Sequence, residues 1–124
     1  YPSPLLAVIL ILLGSLLPDI DERSSMLGRR IPIIGALFTH RTVFHSILVG
    51  VAGVILVALS VDTIYAWSFG AAFASHLILD ALTPAGVRPF WPSKVRVRGF
   101  VRVGGILEKF IFVFALVIFV WLLL

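Results

Sequence analysis

The chain has no cysteine among its 124 residues, which excludes disulfides and thiolate metal sites. It is also short of charge. Only 13% of residues are charged, 60% are hydrophobic, and the mean hydropathy is +1.15. Soluble domains sit near about 45–50% apolar. So few charges cannot coat a water-facing globule of this size, and the composition points to a membrane protein. No Gly-rich phosphate loop is present, since Gly104-Gly105 alone is too little. No Ser-His-Asp nucleophile arrangement stands out. The first apolar run lacks the basic start of a secretory signal, and Pro18-Asp19 follows it instead of a small-residue cleavage site. The chain opens on Tyr1-Pro2-Ser3-Pro4 and not on Met, so a trimmed or processed start is expected.

What the chain does have is four apolar segments, at residues 4–17, 43–60, 63–82 and 106–124. The last three approach the ~20 residues needed to cross ~30 Å of hydrocarbon. Each should be helical, because backbone in lipid must satisfy its own hydrogen bonds. The expected fold is therefore all-α: one domain over residues 1–124, a polytopic membrane bundle of about four apolar helices. No internal repeat is visible. The run Lys94-Val95-Arg96-Val97-Arg98 alternates basic and apolar residues, so a short basic β-hairpin between helices three and four is expected.

The connections carry the charge. The first holds Arg23, Arg29, Arg30 and Arg41, and the third holds Arg88, Lys94, Arg96, Arg98 and Arg102. Both would lie on one side of a four-helix bundle, and the positive-inside rule puts that side in the cytoplasm of a prokaryotic cell. Phe90 and Trp91 suit an interfacial anchor.

The acidic and imidazole side chains gather at the same end. Asp19 and Asp21 close the first segment, and His40 and His45 open the second. His76 and Asp80 end the third, and Glu108 opens the fourth. His76 and Asp80, four apart, share a helix face. His40 and His45 lie about 140° apart around a helix and would not align if both were helical. Taken singly, each residue has a plainer reading. Asp19 could be a stop-and-turn, His45 a bundle hydrogen-bond partner, and Glu108 an interfacial ion pair with Lys109. Glu22 reads as a solvated loop charge. Converging from several segments, the seven residues form a ligand set for Zn²⁺, or for Mn²⁺ or Fe²⁺. That is enough for two or more ions able to activate a water.

These motifs resemble a known family. Residues 18–21 (PDID), 40–46 (HR-x-x-x-HS), 76–86 (H-x-x-x-D-x-x-T-P-x-G), 88–92 (RPFWP) and 102–108 (R-x-G-G-x-L-E) are similar to the YdjM-like inner-membrane proteins. That family is described as LexA-binding, metal-dependent hydrolases, distantly similar to zinc-dependent phospholipase C. The resemblance implies that Asp19, Asp21, His40, His45, His76 and Asp80 are metal ligands. Family members commonly carry a further N-terminal helix with a histidine, so a native helix before Tyr1 is expected. Thr42 and Phe44 stand where the family commonly has Gly and Thr, which would alter the surroundings of His45.

The function expected from all this is a membrane-embedded phosphoesterase acting on a phospholipid or lipid-linked phosphate. Asp21 or Asp80 would act as base and Arg41 would hold a phosphate oxygen. Arg88, Arg96, Arg98 and Arg102 would gather anionic head groups. The alternative is a non-enzymatic metal-binding anchor or regulator that docks a cytoplasmic protein partner through the basic loops. Nucleic acid ranks below lipid because the site lies at membrane depth, and an ion transporter is disfavoured because the polar residues sit at one end and no chain of acids continues through the segments.

Overall fold

The computed structural model describes residues 3–38 and 41–123, without the side chains of 112, 115, 116 and 118–123. Five α-helices follow one another: α1 (Pro4–Leu16), α2 (Pro32–Leu37), α3 (Ile47–Ser60), α4 (Thr63–Leu82) and α5 (Ile106–Leu123). A 3-10 turn, Leu17–Asp21, continues α1.

Local chemistry sets most boundaries. Ser3 caps α1 by accepting the Leu6 N–H, and Pro4 fills the first turn, where no N–H is needed. Ser46 caps α3 through the Val49 N–H at 3.3 Å, and Asp62 caps α4 through the Ile64 N–H at 3.0 Å. Thr83 turns extended before Pro84 and ends α4. With only Val61-Asp62 between them, α3 and α4 form a tight antiparallel pair.

α4 is the central element and packs on both α1 and α3. Leu10 of α1 meets Tyr65, Phe69, Phe73 and Leu77 of α4 in the buried core. Gly14 lets α1 approach the α4 backbone at Phe69, where any side chain would collide with the Phe69 carbonyl.

The polytopic membrane bundle expected from the sequence is not what forms. Among the described residues, no helix is long and apolar enough to cross a membrane. α1 and α3 have 13 and 14 residues, about 20 Å at 1.5 Å per residue, against ~30 Å of hydrocarbon. α3 is shorter than its apolar run because residues 43–46 form a turn instead, with the Ser46 N–H on the Val43 carbonyl. α4 has 20 residues but carries Ser68, Ser75, His76 and Asp80, and α5 has 18. The multi-pass description falls with the bundle. The expected hairpin reduces to one antiparallel bridge, Val87 to Val97, and no strand forms among the described residues. The short helix α2 had no counterpart among the apolar runs. The outer faces remain apolar: Leu5, Leu12, Leu48, Leu56, Leu59 and Trp67 are all more than half exposed.

Candidate metal centre

Three chain segments bring four ligand-type side chains together. Asp19 sits on the 3-10 turn after α1, His45 in the turn before α3, and His76 and Asp80 one turn apart on α4. Asp19 Oδ1 lies 3.5 Å from His76 Nε2 and 3.7 Å from His45 Nε2. Asp80 Oδ2 lies 3.0 Å from His45 Nε2 and 3.6 Å from His76 Nε2. One ligand atom each from Asp19, His45 and His76 lies within 4.8 Å of the other two. Ligands ~2.0–2.2 Å from one ion lie within about 4 Å of one another. The two Asp19 separations meet that, so the donor set suits one divalent cation. Imidazole and carboxylate together suit Zn²⁺, Mn²⁺ or Fe²⁺.

The surroundings orient these groups. His76 Nδ1 is 2.7 Å from the Ser15 carbonyl. A carbonyl can only accept, so Nδ1 carries the proton and Nε2 is left toward Asp19 and Asp80. Arg41 donates to Asp80 Oδ1 at 3.1 Å, to Thr83 Oγ1 at 3.0 Å and to the Gly86 carbonyl at 3.2 Å. Thr83 Oγ1 in turn donates to the Asp80 carbonyl at 2.8 Å. Arg41 reaches this position from a left-handed backbone, φ 63°, which non-glycine residues seldom adopt.

Without a cation, a proton takes its part. Hydrogen bonds to Asp19 and then Asp80 push the His76 imidazole up to about 10. The hydrogen bond from His76 holds the Asp19 carboxyl below its usual range, against the opposing effect of burial. Burial pushes the Asp80 carboxyl up, but His45, His76 and Arg41 together outweigh it and hold it well below the carboxylate range. The pocket is built for positive charge between two carboxylates.

The other expected residues lie elsewhere. Asp21 is buried and lines a separate hollow toward α2 with Arg23 and Gly35. Glu108 accepts a hydrogen bond from the Gly104 N–H. His40 lies outside the described residues. Arg96 donates to the Ala85 carbonyl at 2.9 Å, and Arg88 is half-buried with its Nε unpartnered among the described residues. Arg98 and Arg102 are exposed. Sequence reasoning missed the Ser15 carbonyl. A backbone acceptor leaves no residue-type signal, and only the small Gly14-Ser15 pair marks the close approach.

The helices and this cluster describe a small α-helical protein with a candidate cation centre at one end of its central helix. The chain belongs to the YdjM inner membrane protein family, whose model matches residues 1–124. It is 37% identical to the inner membrane protein YdjM of Escherichia coli (strain K12), over 89% of this chain and 61% of that protein. The figures for the Shigella flexneri protein of the same name are identical. It is also 37% identical to the uncharacterized protein YvsG of Bacillus subtilis (strain 168), over 68% of this chain and 56% of that protein. The chain thus spans less than two thirds of the length of these curated relatives. No solved structure matches it. Membership in an inner-membrane family agrees with the membrane localisation expected from composition.

Proposed function

We propose that the protein is a metal-dependent phosphoesterase working at the membrane surface on an anionic amphiphile. The observation that supports it best is the convergence of Asp19, His45 and His76 on one point, with the His76 tautomer set by Ser15. A divalent cation held there supplies Lewis acidity toward water and a phosphoryl oxygen. The one locus among the described residues accounts for a single ion of the two or more expected.

The chain's own groups divide the remaining work. Asp19, His45 and His76 hold the cation. Asp80 presents Oδ2 to the same point and would orient the attacking water by accepting its hydrogen bond. Asp21, turned toward α2, is not used as base in this reading. Arg41 is committed to Asp80, Thr83 and Gly86, so it holds Asp80 in place in preference to gripping phosphate. Head-group capture falls to the loop arginines Arg88, Arg96, Arg98 and Arg102. Each would contribute about 1 kcal/mol near an anionic surface. The apolar outer faces of α1, α3 and α4 suit contact with lipid, and the basic loops suit the anionic cytoplasmic leaflet.

The test is turnover of a panel of phosphodiesters and lipid phosphates by purified protein with and without Zn²⁺ or Mn²⁺. Metal-dependent turnover lost in His45→Ala and Asp80→Asn supports the reading. No metal-dependent turnover of any substrate would sink it. The second reading, a metal-loaded anchor for a cytoplasmic protein, draws on the exposed Lys94, Arg98 and Arg102. It predicts that charge reversal at Arg96 and Arg98 abolishes partner capture while cation binding survives.

A further inference from the structure

Asp80 belongs to two places at once. It approaches His45 and His76 in the cation centre. It also forms part of the wall of a cavity of about 200 Å³ between the end of α4 and the start of α5. Most of that wall is apolar, from Leu79, Leu82, Val101, Val103 and Ile111. Thr83, which Arg41 ties to the same network as Asp80, lines it as well. The cavity and the centre thus share Asp80 as a wall residue, and one guanidinium holds both Asp80 and its neighbour Thr83.

We propose that this cavity receives the hydrocarbon end of a membrane amphiphile whose phosphate lies at the Asp19, His45 and His76 centre. The proposal rests on the phosphoesterase reading and adds the part of the substrate that reading leaves undefined. Three observations favour this occupant. The lining offers an alkyl chain apolar walls and offers a polar group few partners. The volume is adequate, since an apolar cavity of about 150 Å³ already holds a benzene ring. Glu108 also lines the cavity, and its negative charge there disfavours an anionic group inside.

A second hollow sharpens the contrast. Between α3 and α4 lies an apolar groove of about 250 Å³ lined by Val51, Val54, Gly70 and Phe73, among others, with no member of the centre in its wall. A chain bound there would not lie beside Asp80.

The experiment is titration of the Zn²⁺-loaded protein, in discs of zwitterionic lipid, with inorganic phosphate and then n-alkyl phosphates of increasing length. Heats from empty discs are subtracted. Affinity should rise about fourfold per added methylene until the cavity is full. Leu79→Trp and Val103→Trp should flatten that dependence and leave inorganic phosphate binding unchanged. Both positions suit a larger ring, because Leu79 is 59% and Val103 78% exposed. Val51→Trp, in the other groove, should keep the slope. Three results overturn the proposal: phosphate binding with no chain-length dependence in the unaltered protein, a slope that survives both cavity substitutions, or a slope lost in Val51→Trp. Failure of inorganic phosphate and every alkyl phosphate to bind overturns the phosphoesterase reading and this proposal with it.

Discussion

His76 and Ser15, 61 residues apart in sequence, meet through a 2.7 Å hydrogen bond from imidazole Nδ1 to a main-chain carbonyl. That contact joins the end of α1 to the middle of the centre. It fixes which ring nitrogen faces Asp19, and it exists because Gly14 lets the two helices touch. The first prediction follows from that dependence. Gly14→Val should push α1 away from α4, displace Asp19 and lower divalent-cation affinity by roughly 10–100-fold, as losses around a ligand shell do. Competition against a chromophoric chelator measures it. Unchanged affinity would separate helix contact from cation binding.

Arg41 supplies the second prediction. Arg41→Lys keeps the charge but loses the fork that reaches Asp80, Thr83 and Gly86 together. Cation affinity should fall about tenfold or more, and Arg41→Ala should cost at least as much. An Arg41→Lys protein with full affinity would show that Asp80 needs no such support.

The third prediction concerns pH. His76 is raised from its ordinary 6.5 to about 10. Its contribution to the cation-free fold is therefore complete below about 6.5 and is lost as pH climbs through about 10. Asp19 and Asp80 are lowered, so their contribution is present above their ordinary values and disappears on acidification. Thermal midpoints of the cation-free protein should peak in mildly acidic solution and decline on the alkaline side. Because the cation displaces the His76 proton, its affinity should rise with pH over the same alkaline interval. A cation-free midpoint that is flat from pH 6 to 10 would contradict the His76 assignment.

The fourth prediction tests the loop that follows α4. Gly86 has φ +66°, and a side chain there would strike the Val97 carbonyl. Gly86→Val should destabilise the protein by about 1–3 kcal/mol, read from denaturant midpoints. It should also loosen Arg41, whose guanidinium bonds the Gly86 carbonyl.

The sequence carried the helices better than their environment. The apolar runs place α3 and α4, because such signals are local, and the run at 63–82 coincides with α4. The run at 43–60 overstated its helix, since apolarity does not distinguish a turn at 43–46 from a first helical turn. Apolarity also made the three longer runs look like membrane crossings, although no described helix is long and apolar enough for one. In the centre, His76 and Asp80 were readable from their four-residue spacing. Asp19 and His45 were readable only through convergence across segments. Arg41 looked like a phosphate ligand because its bonds to Thr83 and Gly86 are tertiary and leave no pattern. Glu108 looked like a metal ligand, yet its carboxylate accepts the Gly104 N–H just before α5.

The most direct test is X-ray absorption at the metal edge on protein purified without chelator and loaded with one equivalent of Zn²⁺. The account predicts a bound ion with two imidazole nitrogens at ~2.0–2.1 Å plus carboxylate oxygen, and loss of imidazole scattering in His45→Ala and His76→Ala. A spectrum without imidazole ligands, or one unchanged by both substitutions, would contradict it.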